Sequence, residues 1–347
     1  MLFGALQSGI DGLIEYVSQH TLTCLIPAFF IAGAIAAFVK KEAILKYFGP
    51  QTKKYVSYPV ASISGLVLAV CSCTILPLFT GIYKKGSGLG PAVTFLFAGP
   101  GINILAIIYT AQVLGYDIGI ARAVAAIGMS LLVGLIMATL FRGEKHMGEF
   151  KLLSSGGDKP KWVILSFFLL LGLILVIGAS QLDWLVKLPI VYALTLVVAY
   201  LAIYHFERDE ITDWGMETWD LTKKILPILL IGTFAVGVLA YFLPPETFAP
   251  YLGNNSISAN LIASVLGAIL YMPTLLEVPI IGTTFGYTTG AMAAGPALAL
   301  LLAGPTISAP SLVVLARVMG VKKTLTYAVL VVIMSTIAGM IFGSLVG

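Results

Sequence analysis

Charge is what this chain has least of. Only 10% of its 347 residues are charged, against 59% apolar, and mean hydropathy is +1.00. Several apolar runs reach the roughly 20 residues that cross a bilayer, so the chain reads as an integral membrane protein. The net charge of +4 is no nucleic-acid footprint, because the basic residues sit in loops between apolar runs. Cysteine is scarce too: three residues make no disulfide framework, and no separate soluble domain is visible. His20, His146 and His205 are scattered outside the apolar runs, which excludes a histidine metal site; no metal and no other cofactor is expected. A Walker-type phosphate loop is missing, so the chain is not expected to hydrolyse ATP. No Lys or Arg precedes Lys40, and the N-terminus therefore lacks the basic start of a signal peptide. One membrane domain over residues 1–347 is the expectation, with a lipid bilayer and a small molecule as partners.

What the chain does have is Val70-Cys71-Ser72-Cys73-Thr74-Ile75-Leu76-Pro77, two of its three cysteines one residue apart in an apolar segment. Pro77 has no N–H for the carbonyl of Cys73, and its ring crowds that carbonyl, so a helix is expected to open here. On a regular helix Cys71 and Cys73 would sit about 200° apart. On an extended or broken backbone they share a face. Broken backbone at membrane depth is tolerated only where it is buried in protein or lines a cavity.

In chain order, residues 1–20 carry apolar groups at helical spacing and suit a surface helix or an extension of the first span. Apolar segments follow at about 21–39, 56–83, 88–113 and 120–141, and a polar linker runs to Lys161. Two plain spans at about 162–204 lead to an acidic loop, and further segments lie at about 225–243, 257–282, 290–316 and 325–346. The last third repeats the first. Over residues 90–100 against 295–305, seven of eleven positions are identical at an offset of 205. Gly99-Pro100 thereby matches Gly304-Pro305, while Leu76-Pro77 matches Val278-Pro279 and Leu25-Ile26-Pro27 matches Ile225-Leu226-Pro227. Repeat 1 covers about 21–141 and repeat 2 about 225–346, joined by the helices at about 162–204. The expected helix breaks are Pro77, Gly99-Pro100-Gly101, Pro279 and Gly304-Pro305.

Lys and Arg favour the cytoplasmic side of a membrane. If the cysteine segment enters and returns on one side, 18 of 20 basic residues are cytoplasmic, with Arg122 and Lys187 left over. Making Gly99-Pro100-Gly101 the turn instead gives 16 of 20. Either arrangement starts the two repeats on opposite sides, so they are inverted. Inverted repeats with interrupted helices near the midplane are secondary-transporter architecture. The expected fold is an all-α integral membrane protein with about eight crossings and two re-entrant segments, catalysing no reaction.

The Cys-Ser-Cys stretch at 71–73, with Phe97-Ala98-Gly99-Pro100-Gly101-Ile102-Asn103 beyond it, resembles the predicted-permease family that includes the organoarsenical efflux permeases. The resemblance implies a multi-pass permease of the inner, cytoplasmic membrane in which Cys71 and Cys73 take trivalent arsenic. Thiolates independently favour soft, thiophilic species. Space-filling is the alternative for membrane cysteines, above all for the isolated Cys24. Ser72 and Asn103 complete the expected substrate site. Glu277, aligned two residues past Cys73 in the repeat, is a carboxyl group at membrane depth and a candidate proton-coupling residue. It would otherwise cap a broken helix or lie at the interface. Asn103 and Ser308 either line the cavity or satisfy freed backbone groups. Sulfur compounds such as thiosulfate are alternative cargo, and a membrane thiol–disulfide oxidoreductase is the alternative of another class.

Overall fold

A computed structural model describes residues 2–17, 25–38, 47–48, 52–68, 72–142, 161–179, 184–242, 249–269 and 277–346. Within these the chain is helical throughout. Its first half comprises α1 (Leu2–Tyr16), α2 (Ile26–Phe38), α3 (Lys54–Leu68), α4 (Ser72–Lys84), α5 (Leu89–Gly101), α6 (Ile104–Val113) and α7 (Tyr116–Leu140). Next come α8 (Lys161–Ala179), α9 (Trp184–His205) and the long α10 (Arg208–Phe242). The last third holds α11 (Ile257–Ile269), the short turn α12 (Glu277–Pro279) with a π-helical extension over Ile280–Thr284, α13 (Ala294–Ala303), α14 (Ala309–Met319) and α15 (Val321–Val346).

Among the described residues three helices are long and apolar enough to cross a membrane alone, Tyr116–Leu140, Leu185–His205 and Val321–Val346. The α5–α6 pair, bent by 42°, makes up to a fourth. Their outward faces carry exposed Leu, Ile and Val, as surfaces against lipid do. The expected acidic loop after residue 204 is instead the first half of α10. Asp209 and Glu210 lie in its first turn, where carboxylates favour the positive helix end. The Glu210 carboxylate also accepts from the Glu207 amide at 2.8 Å. Trp214 then anchors this half, donating through Nε1 to the Phe30 carbonyl at 2.9 Å and packing on Phe167 at 5.1 Å between ring centroids.

The two ends of the chain pack alike. In the first, α5 lies against α3 and α7, and α6 lies against α7. In the last third α13 lies against α11 and α15, and α14 against α15. Both sets use a glycine pair for backbone-to-backbone approach, as membrane helices do. A Cβ on Gly134 would fall 2.8 Å from the Gly90 carbonyl oxygen, and one on Gly339 would fall 2.6 Å from that of Gly295. These pairs differ by 205 in number, as do Gly115 and Gly320, both at positive φ (117° and 90°) just before α7 and α15. Other glycines set single crossings: Gly33 meets Thr218 where α2 crosses α10.

Candidate functional site

Four of the expected breaks fall within or beside the described residues. At the first, α3 is described to Leu68 and α4 from Ser72, and residues 69–71 lie outside the described residues. Cys71, like Cys24, lies outside the described residues; Ser72 and Cys73 open α4, and their side chains are not among those described. The expected opening at Pro77 is not found there, because Pro77 lies inside α4. Its missing N–H removes one bond near the helix start and leaves the remaining turns intact: Thr80 Oγ1 donates to the Leu76 carbonyl at 2.7 Å.

At the second interruption α5 runs through Gly99 and Pro100 and stops at Gly101. Buried Asn103 then starts α6, its Oδ1 accepting from the Ala106 amide at 3.3 Å. At the third, α13 ends at Ala303, Gly304 caps it, and Pro305 follows. Ser308 starts α14 in a reciprocal capping arrangement with Ser311. Asn103 and Ser308 thus satisfy freed backbone groups at positions 205 apart. The second and third interruptions touch: a Cβ on Gly101 would fall 3.3 Å from Thr306 Cγ2. At the fourth, Glu277 opens α12, Pro279 closes it, and the chain widens into the π-helical turn. Such turns concentrate at functional sites.

Glu277 is fully buried and ion-paired with Arg122, which is equally buried. Arg122 Nη2 donates to Glu277 Oε1. Arg122 Nη1 donates to Thr110 Oγ1 at 2.7 Å, and the Thr110 hydroxyl in turn donates to the Ala106 carbonyl at 2.7 Å. Gly119 makes this possible, since a Cβ there would fall 2.6 Å from that of Ala111 and hold α6 off α7. The other carboxylate oxygen, Oε2, lies over Gly304, where a Cβ would sit 3.4 Å away. Gly267 of α11 supports that spot, a Cβ on it falling 2.9 Å from the Gly304 nitrogen. Arg122 Nε and Glu277 Oε2 have no hydrogen-bond partner among the described residues. Tyr327, 205 positions after Arg122, is also fully buried and donates to the Thr306 carbonyl at 3.2 Å.

Arg122, Thr110 and Tyr327 were not singled out by the sequence. Arg122 had a signal: it was one of two basic residues that no loop claimed, and an acid at membrane depth calls for a partner. Lys187, the other, is buried too and donates to the Gly178 carbonyl at 3.1 Å. Among the described residues no group of three or more His, Cys, Asp or Glu could hold a metal ion.

Helices long and apolar enough to cross a membrane, with interrupted helices and a buried ion pair among them, mark a helical membrane protein. The chain belongs to the predicted-permease family, whose model matches residues 8–344. Relatives include UPF0718 protein MJ0584 of Methanocaldococcus jannaschii, 43% identical over 348 residues, covering 96% of this chain and 94% of that protein. UPF0718 protein YraQ of Escherichia coli is 22% identical over 309 residues, 89% of this chain and 73% of that protein. No solved structure matches.

Proposed function

We propose that this protein is a secondary permease of the cytoplasmic membrane that carries a soft, thiophilic small molecule. Trivalent organoarsenicals moved outward are the leading cargo, and thiosulfate-like sulfur compounds are the second. The observation that carries the reading is the place of the thiol pair in a chain of this family. By sequence Cys71 ends the stretch between α3 and α4, and Cys73 falls in the first turn of α4. Two thiolates there satisfy a trivalent centre that keeps one organic group. Ser72 and Asn103 lie at the starts of α4 and α6 and complete the site. Glu277 exchanges the proton as access alternates.

The architecture proposed with it is an inverted repeat, about 21–141 and 225–346, with eight crossings and two re-entrant segments. The matched glycine pairs, the matched caps and the contact of Gly101 with Thr306 support a two-fold relation between the repeats. The test is uptake of methylarsenite into vesicles holding the parent or the Cys71→Ser/Cys73→Ser variant. Loss of uptake in the variant is expected, with no competition from pentavalent arsenicals. Unchanged uptake makes the thiols packing residues and ends the arsenical reading. A redox change of the thiols with each turnover would instead favour the oxidoreductase.

A further inference from the structure

The Arg122–Glu277 pair is only half made. A guanidinium and a carboxylate frequently meet fork to fork, with two parallel N–H···O bonds. Here one such bond forms, through Nη2 and Oε1. Arg122 Nε and Glu277 Oε2 are both buried and both without a partner among the described residues. The pair also joins the two ends of the chain: Arg122 stands on α7 beside Thr110 of α6, and Glu277 stands on α12 over Gly304. It therefore lies beside the interrupted helices, where a permease opens and closes.

We propose that Arg122 is an anion-binding residue and Glu277 its resident counter-ion, so that one small, singly charged oxyanion and one proton enter the protein together. Arg122 cannot give up its proton. A buried cation that loses its partner is strongly destabilising, because its desolvation goes uncompensated. When Glu277 takes up a proton, its negative charge disappears and Arg122 requires a replacement. A single negative charge restores neutrality, and this fixes the ratio at one proton per anion. The Nε–Nη2 edge of the guanidinium offers two parallel donors, which suit an acceptor with two oxygens, planar or tetrahedral. Thr110 cannot add a third, since its hydroxyl proton is committed to the Ala106 carbonyl. Among the described residues, Arg122 from α7, Gly304 beyond α13 and Gly267 beneath it from α11 face Glu277, with Thr110 of α6 behind Arg122. Arg122 is the one charged or titratable group among these, so the pH dependence of anion binding belongs to Glu277. The inference rests on the permease reading only in treating the anion as cargo or co-substrate; binding itself is independent of it.

The test uses purified full-length protein in detergent and weak buffer, titrated with sodium nitrate, sodium formate and sodium thiosulfate. The parent should show a saturable rise in unfolding temperature with nitrate or formate, tighter at lower pH, and should take up one proton per anion bound. Thiosulfate, with two charges, should bind no more tightly than nitrate. Glu277→Gln should bind nitrate about tenfold more tightly, because no internal carboxylate competes. That variant should take up no proton and lose the pH dependence. Arg122→Gln/Glu277→Gln, which removes both charges and so keeps the interior neutral, should fold and bind no anion. Nitrate binding in this double variant as in the parent overturns the proposal, as does binding without proton uptake, or no binding by the parent. Methylarsenite flux in vesicles from the same preparation separates the two readings. Flux without anion binding sinks this inference alone. Anion binding with no flux of any probe sinks the permease alone.

Discussion

Removing the guanidinium of Arg122 leaves the Glu277 carboxylate buried and unpaired, and breaking one side of a buried pair costs about 3–5 kcal/mol. Arg122→Gln should therefore lower the unfolding temperature sharply, and Arg122→Gln/Glu277→Gln should recover most of the loss. Equal loss in the single and the double variant would mean the two groups are not coupled. Glu277→Gln alone should also destabilise, since it strands a cation. An isolated buried acid would gain stability from the same change, and the two cases differ in sign. For transport, Glu277→Gln should abolish the stimulation of vesicle flux by a pH gradient; flux that still follows the gradient would place coupling elsewhere. Glu277 was legible because an acid inside an apolar run is conspicuous in a chain with few charges. Its partner was not, because 155 positions separate the two, and only the packing of α6, α7 and α12 brings them together.

At the scale of helices, glycine separates into two kinds. Gly134 and Gly339 sit where another backbone approaches, so Ala at either should push two helices apart and lower the unfolding temperature by several degrees. Gly128 and Gly172 have open space where a Cβ would be, so Ala there should be neutral or stabilising by about 0.5–1 kcal/mol. Thermal unfolding of the four single variants checks the contrast, and a uniform response would contradict the packing. The ends of α5 and α13 could be foreseen from the Gly-Pro dipeptides, which recur at a constant spacing. A break was expected at Pro77, which instead lies inside α4. Proline reports a missing donor, but where a helix starts depends on its neighbours, and Pro77 falls early enough in α4 for the helix to continue past it. The acidic run after residue 207 looked like a loop because sequence shows charge more readily than the tertiary anchors, Trp214 and Glu210, that hold it helical.

For the whole molecule, the proposed sidedness is open to labelling. A single cysteine at position 84 or 85, in a background without the native three, should react with an impermeant reagent from the cytoplasmic side alone. Reaction from outside would move the re-entrant role to the Gly99-Pro100-Gly101 segment. Arg122 and Lys187, the two basic residues this arrangement leaves over, are both buried. The length of α10 has a mechanical consequence. Its 35 residues make a rod about 52 Å long at 1.5 Å per residue, against a hydrocarbon core of about 30 Å. In the proposed topology the apolar half of α10 crosses the bilayer, which leaves about 20 Å of helix clear of it, and that overhang carries Asp209, Glu210, Asp213 and Glu217. Pro227, inside the helix, leaves the Lys223 carbonyl without its usual donor and supplies a fulcrum. Rocking by 10° about that point sweeps the far tip through about 5 Å, so a slight lean within the membrane becomes a side-chain-sized stroke in the water beyond it.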